Sequence, residues 1–180
     1  MTRVRPVWRA ASAPWLRAAL AGVSATLAWA VWSKLDSQVQ VGELLALAVV
    51  VGMPIGAMAL LLGGVLLRTG GWLLGGQASA GQVRTALGWA VLPVVAGLPL
   101  WLLPLLADPV ASSLLVKAGV TIQAMLWCWA VVRSMLRLAV VHRITLMRAM
   151  LSWLLAALVA VGAFGALLGG AALIISLRGG

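Results

Sequence analysis

Charged side chains are scarce in this chain of 180 residues: they make up 9% of it, whereas 64% of the residues are hydrophobic. A soluble globule of this size needs more polar surface than such a composition provides. A soluble fold is therefore excluded, and lipid is expected to be the main solvent around the chain. The apolar segments are too long and too continuous for the alternating strands of a β-barrel. We predict an all-α integral membrane protein.

Side chains that carry chemistry are equally few: Cys128, His142 and the three acids Asp36, Glu43 and Asp108. A single cysteine excludes an internal disulfide. Packing and interfacial roles explain Cys128 and His142 better than a thiol–imidazole pair, because more than two helical turns separate them. Caps and loops explain the acids better than a shared cation site. We predict that the chain is not an enzyme and has no catalytic, metal-binding or cofactor-binding residues.

Tyrosine is absent and phenylalanine occurs once, whereas ten tryptophans are available as anchors at membrane interfaces. The apolar segments predict an interfacial arm at residues 1–15 and a single bundle of five transmembrane helices at 16–178. These helices cover about residues 16–32, 44–67, 82–106, 113–141 and 146–177. Five crossings place the two termini on opposite sides of the membrane.

Cationic residues are distributed unevenly between the two ends of this predicted bundle. One end has Lys34, Lys117 and Arg178, and the other has Arg3, Arg5, Arg9, Arg17, Arg68, Arg84, Arg133, Arg137, Arg143 and Arg148. The positive-inside rule therefore predicts a cytoplasmic N-terminus and an outer C-terminus. Cations near an anionic leaflet also attract lipid, and the predicted contacts are Arg68, Arg84, Arg133, Arg137, Arg143 and Arg148. Setting the topology alone would need no bound lipid. Nucleic acid is not expected, because the cations are scattered along short loops.

The stretch from Gly70 to Pro93 joins two apolar segments and is predicted to be a cytoplasmic turn. Glycines interrupt the helix there, and Ser79 followed by Gln82 forms a capping box that starts the next helix. Arg84 and then Trp89 follow, in the order expected where a helix enters a bilayer. The residues of this turn motif are Gly75, Gly76, Ser79, Gln82, Arg84 and Pro93.

Prolines interrupt the second and third predicted helices, at Pro54 and at Pro93, Pro99 and Pro104. Broken helices line the substrate path of some transporters, and here the path would comprise Pro54, Pro93, Pro99 and Gln123. A kink that serves packing is the favoured interpretation, because intramembrane polar groups are few.

Glycines recur at a spacing that permits close helix approach. The predicted packing residues are Gly52 and Gly56 in the second helix and Gly162, Gly165 and Gly169 in the fifth. The glycine face of the fifth helix is compatible with packing within the chain or against another subunit, and the sequence does not choose between them.

Several short motifs occur in an order that resembles the bacterial branch of the Yip family, named for Ypt- and Rab-GTPase-interacting proteins. They are Arg5-Pro6 with Trp8, Gly75-Gly76 through Ser79 and Gln82 to Arg84, Ala86 to Pro93, and His142 through Thr145 to Arg148-Ala149. Arg143 departs from the pattern, in which a glycine is expected. The resemblance implies a five-helix domain with a cytoplasmic N-terminus. Eukaryotic relatives take part in vesicle traffic, a role not carried over to this chain.

The leading functional hypothesis is a non-enzymatic integral membrane protein that scaffolds or assists a membrane complex through its helix faces and basic cytoplasmic turns. The alternative is a small transporter or lipid-handling protein that uses the proline-broken second and third helices. We expect membrane lipids, anionic ones above all, and a protein partner or a second copy of the chain as partners. The expected location is a bacterial inner membrane.

Overall fold

The computed structural model describes residues 14–33, 41–106 and 109–178, and all regular structure in these ranges is helical. Five helical segments are long and apolar enough to cross a membrane. The helices are α1 (Pro14–Ser33), α2 (Val41–Leu73), α3 (Ala80–Ala90), α4 (Leu92–Ala96), a 3-10 turn (Leu98–Trp101), α5 (Leu102–Leu106), α6 (Pro109–His142) and α7 (Leu146–Arg178). The predicted all-α membrane class is therefore confirmed.

Glycines hold α1 and α2 together as a close antiparallel pair. Gly22 of α1 lies against Gly52 and Gly56 of α2, and Gly56 also lies against the backbone of Ala18. A Cβ atom at any of these three glycines would overlap backbone atoms of the facing helix. Because apolar solvent gives helices no hydrophobic reason to associate, such close backbone packing is a main source of helix attraction in a membrane.

The third span is broken into pieces, in agreement with its prolines. α3 ends at Ala90, Pro93 lies in the first turn of α4, and Pro99 lies in the 3-10 turn that follows Gly97. Proline lacks the N–H that a continuous helix needs and its ring clashes with the preceding turn. The result is a segment that crosses the bundle as short helical pieces between α1 and α6.

Two chain reversals lie at the same end of the bundle, which we call the paired-turn end. One is the α2–α3 turn at residues 74–79, and the other is the α6–α7 turn at residues 143–145. We call them together the paired turns. The beginning of α2, with Glu43, lies at the opposite end.

Helix bounds differ from the sequence-based expectation mainly at α2. This helix continues through Gly70 and Gly71 to Leu73, whereas the expected end was near residue 67. α6 begins at Pro109, four residues before the start expected near residue 113. Most of the interfacial arm and the predicted caps and loops at Asp36 and Asp108 lie outside the described residues.

Candidate functional site

The α2–α3 turn is built by local interactions that its sequence predicts. Gly75 adopts a φ of +89°, a conformation that side chains disfavour. The Ser79 N–H donates a hydrogen bond to Gln82 Oε1 (2.9 Å), and the Gln82 N–H donates one to Ser79 Oγ (3.3 Å). The expected capping box is thus present, and it fixes where α3 begins.

The α6–α7 turn is tight even though it lacks the glycine that the family pattern would have. Arg143 adopts a φ of +55°, the left-handed conformation in which glycine is favoured. The Ile144 N–H still donates a hydrogen bond to the Ala139 carbonyl, as in a compact helix end. The arginine therefore occupies a glycine-type position, at a cost of about 1–2 kcal/mol for a residue with a side chain.

Hydrogen bonds join the two turns, which are far apart in the sequence. The Gln77 N–H donates to the His142 carbonyl (3.4 Å), and Arg148 Nη1 donates to the Leu74 carbonyl (3.4 Å). One helical turn deeper, Ser152 Oγ donates to the Leu67 carbonyl (3.3 Å) and lies against Gly70. Leu67, Ala78, Leu138 and Ala149 are buried in the apolar cluster beneath. The paired turns therefore form one packed unit.

The ring of His142 fills the centre of this unit and is 1% exposed. It lies between Gly71 and Gly76, where a Cβ atom on either glycine would overlap it. Neither ring nitrogen has a hydrogen-bond partner among the described residues. The sequence suggested only that His142 lies at the interface. Its burial is indicated by the two glycines at positions 71 and 76, because residues without a side chain leave room for the ring.

Two clusters of arginine and tryptophan lie below the paired turns. The guanidinium carbon of Arg17 is 3.7 Å from the centroid of the Trp89 ring, and that of Arg137 is 5.6 Å from the same centroid. The guanidinium carbon of Arg84 is 5.8 Å from the Trp15 ring. Arginine over an indole face is an attractive cation–π arrangement. α1, α3 and α6 are thus linked by side chains that also carry positive charge.

The six arginines predicted to contact anionic lipid do not form one group. Arg68, Arg143 and Arg148 are exposed, whereas Arg84, Arg133 and Arg137 are half-buried. The stem of Arg84 packs on Gly64, and its Nε atom is buried without a hydrogen-bond partner in the described part of the chain. Arg17, which the sequence indicated only as one of the cations that set the topology, contacts the same Trp89 ring as Arg137.

The residues of the predicted transport path have different surroundings. Gln123 is 5% exposed: its Oε1 accepts from Trp101 Nε1 (3.4 Å), and its Nε2 donates to Ser24 Oγ (3.3 Å). Ser24 Oγ in turn donates to the Val94 carbonyl beside the break in the third span (3.1 Å). Pro54 and Pro99 are exposed and Pro93 is half-buried. Sequence reasoning found Gln123 but missed Ser24 and Trp101, its partners in this network.

The predicted packing glycines have different surroundings. Gly52 and Gly56 contact α1, as described above. Gly162 and Gly165 are exposed, with no atom of the described residues close to where their Cβ atoms would lie. Gly169 lies in α7, and its surroundings fall outside the described side chains.

Clusters of reactive groups are not found in the described ranges. Cys128 is exposed on α6, and roughly 21 Å of helix separates it from His142. No group of three or more His, Cys, Asp or Glu residues that could hold a metal ion occurs among residues 14–33, 41–106 and 109–178.

Comparisons with known proteins identify a family. The model of the Yip1 domain matches residues 2–173. Two of the motifs that carry the resemblance, Gly75 to Gln82 and His142 to Arg148, lie in or next to the paired turns. Comparisons with curated proteins and with solved structures gave no match. Because the match extends over nearly the whole chain and five helical segments are fit to span a membrane, the chain is an integral membrane protein of the Yip1 domain family.

Proposed function

We propose that this protein scaffolds or assists a membrane complex and that the paired turns are its contact region. The supporting observation is that two turns distant in sequence are hydrogen-bonded and packed around His142 into one unit. A packed unit presents its exposed side chains in fixed positions, which lowers the entropy that a partner's binding must overcome. No catalytic step is part of this proposal.

On this proposal the paired turns lie in or beyond the lipid headgroups. Trp89 contacts Arg17 in the first turn of α1, and α1 is 20 residues long, about the thickness of a bilayer core. The helix between Ser79 and Trp89 is roughly 15 Å long at about 1.5 Å per residue. The paired turns therefore lie in or beyond the headgroups, where another protein can reach them.

Exposed apolar and basic side chains surround the paired turns. Trp72 and Met147 are each 70% exposed, and Trp72 lines a shallow groove with Arg68 and Thr69. Arg143 and Arg148 are exposed beside them. Apolar anchors with basic neighbours suit a partner surface that offers an apolar pocket and acidic groups, or anionic headgroups.

We propose that the paired-turn end and the N-terminus are cytoplasmic and that the protein resides in a bacterial inner membrane. The surplus of arginine at this end supports the orientation. Cysteine labels at Gln77 and Gly180 in a cysteine-free background should react from opposite sides of the membrane, with Gln77 on the cytoplasmic side. Labelling of both from one side would refute the five-crossing arrangement.

Photo-crosslinking in cells tests the contact region. A photoreactive residue in place of Trp72 or Met147 should give a discrete protein adduct, whereas one in place of Leu114, equally exposed at the other end, should not. Identical adducts from all three positions, or none from any, would count against the proposal. Flux of a solute into liposomes that contain only the purified chain, abolished by Gln123→Leu, would favour the transporter alternative instead.

A further inference from the structure

We propose that His142 is a proton-controlled switch: the paired turns stay packed together while its imidazole ring is neutral, and they separate when the ring becomes protonated. The proposal concerns the regulation of the contact region. It rests on the proposed function for its consequence, which is that a partner bound at the paired turns is released as the pH falls. The switch itself is a property of the chain alone and can be measured without any partner.

The packed arrangement encloses the His142 ring so closely that its nitrogens face backbone. Cε1, Nε2 and Nδ1 are the atoms nearest to where a Cβ atom on Gly71 would lie, and Nδ1 is nearest to that position on Gly76. Neither nitrogen has a hydrogen-bond partner among the described residues. A neutral ring has one N–H group, whereas a protonated ring has two and a positive charge. Burial without acceptors therefore penalises the protonated form far more than the neutral one.

Charged side chains on the described elements at the paired-turn end are all cationic. They are Arg17 on α1, Arg68 on α2, Arg84 on α3, Arg133 and Arg137 on α6, Arg143 in the α6–α7 turn and Arg148 on α7. In the described part of the chain the only carboxylate side chain is that of Glu43, at the opposite end. No arginine can offer the negative charge that stabilises a nearby imidazolium. The charges around His142 therefore act in the same direction as its burial.

Separated turns suit the protonated ring. His142 is the last residue of α6, and a cation at a helix C-terminus is stabilised by the carbonyl groups of the last turn. In the packed arrangement the His142 carbonyl accepts a hydrogen bond from the Gln77 N–H. Separation frees this carbonyl and gives the ring access to water. The two arrangements thus differ in their affinity for a proton, which is the condition under which a proton shifts their populations.

The hydrogen bonds that cross between the two turns are long. The bond from the Gln77 N–H to the His142 carbonyl and the bond from Arg148 Nη1 to the Leu74 carbonyl both measure 3.4 Å. These lengths exceed the usual range of N–H···O hydrogen bonds. The Ser152 hydroxyl bonds α2 one helical turn deeper, below the turns. The turns can therefore separate while the bundle beneath them stays packed.

Hydrogen exchange of the purified full chain in nanodiscs tests the switch. A hydrated imidazole has a pKa of about 6.5, so the packed arrangement is fully stable above this pH and loses stability as the pH falls below it. Between about pH 7.5 and about pH 5.5 we expect the protection factor of the Gln77 amide to fall about tenfold. The protection factor corrects for the intrinsic pH dependence of exchange. The Gly56 amide, in the α1–α2 contact, is the reference and should keep its protection.

Substitution of His142 provides the matched control, because it is the only histidine in the chain. Phenylalanine has a ring but no titratable group, so the Gln77 protection factor of His142→Phe should not change with pH over this range. Arg68→Gln removes a cation of the same end and should keep the tenfold response. If His142→Phe does not fold, the wild type still decides: the NMR signal of the His142 Cε1–H should titrate with the same midpoint as the loss of Gln77 protection.

Two results would overturn the switch: a wild-type Gln77 protection factor that is constant with pH, or one that falls equally in wild type and His142→Phe. The photo-crosslinked adduct from Trp72, measured in membrane vesicles, separates this failure from failure of the proposed function. Absence of the adduct at every pH refutes the contact region, while the exchange still decides the switch. An adduct that weakens on acidification in wild type but not in His142→Phe supports both, and equal weakening in the two would contradict release through His142.

Discussion

Two helices of this protein carry glycines four residues apart, but in only one of them do the glycines described contact another helix. Gly52 and Gly56 of α2 lie against the backbone of α1, whereas no atom of the described residues lies close to Gly162 or Gly165 of α7. The four-residue spacing, which Gly52 and Gly56 share with Gly165 and Gly169, permits close approach in both helices. The comparison teaches that a small-residue motif indicates where a helix can be approached, while the partner is determined by the helix that the chain connectivity places opposite.

The largest effect is expected at the α1–α2 contact. Gly56→Ala places a Cβ where the Ala18 carbonyl lies, so the two helices must separate. We expect a loss of about 3 kcal/mol, the upper range for overpacking, in the free energy of unfolding measured by denaturant titration in mixed micelles. Gly63→Ala is the matched control on α2, because its Cβ would meet only Leu87 Cδ1, at 3.9 Å. Equal effects of both substitutions would show that helix contact is not the cause.

A smaller effect is expected at Gly76, where an added Cβ would lie nearest to the His142 ring and only second to backbone, the Gly71 carbonyl oxygen at 2.8 Å. Gly76→Ala would push the His142 ring out of its position between the two turns. We expect a loss of about 2 kcal/mol and faster hydrogen exchange at Gln77, whose N–H bonds the His142 carbonyl. Gly81→Ala, in open space in the first turn of α3, is the control. Unchanged exchange at Gln77 in Gly76→Ala would show that the two turns are not held together through His142.

The capping box can be tested by a substitution that removes a hydrogen bond and adds no atoms to a packed region. Ser79→Ala removes the acceptor for the Gln82 N–H and should cost about 1 kcal/mol. Hydrogen exchange at Gly81 to Thr85 should accelerate, while exchange within α2 stays as in the wild type. Arg84→Ala should leave that exchange unchanged. The opposite pattern would mean that charge, and not the cap, holds the turn.

Arg143 is a position where only the backbone conformation favours glycine. Arg143→Gly removes the side chain that makes a φ of +55° unfavourable, but it also raises the conformational entropy of the unfolded chain. The net expectation is a gain of about 0.5 kcal/mol in unfolding free energy. A loss of stability would show that the arginine side chain stabilises the turn by contacts that outweigh the strain.

A small effect on the single chain is also expected on α7. The Cβ of Gly165→Ala meets no atom of the described residues, so stability should change by less than about 1 kcal/mol, with helix propensity favouring alanine. If a second copy of the chain packs on this face, Gly165→Leu should weaken self-association. Size-exclusion chromatography with light scattering measures this change. Large destabilisation of the monomer would show that this face packs within the chain.

Features that depend on neighbours in sequence could be predicted, whereas features that depend on distant segments could not. The capping box at Ser79 and the proline-broken third span follow from local chemistry. The helical conformation of Gly70 and Gly71 does not, because it is stabilised by Ser152 and His142 from helices that follow much later. The same holds for the Gln123 network, whose partners Ser24 and Trp101 lie on two other segments.

The separation in sequence between the two turns also implies an order of assembly. α1 and α2 are neighbours in the chain, so their glycine contact can form as soon as both helices have been inserted. The bond between Gln77 and His142 closes a much longer loop and must wait for α6 and α7. Contacts between distant segments form late in folding. During synthesis the space between Gly71 and Gly76 therefore lacks the His142 ring until α6 and α7 have been inserted. Placement of the ring in this space completes the bundle.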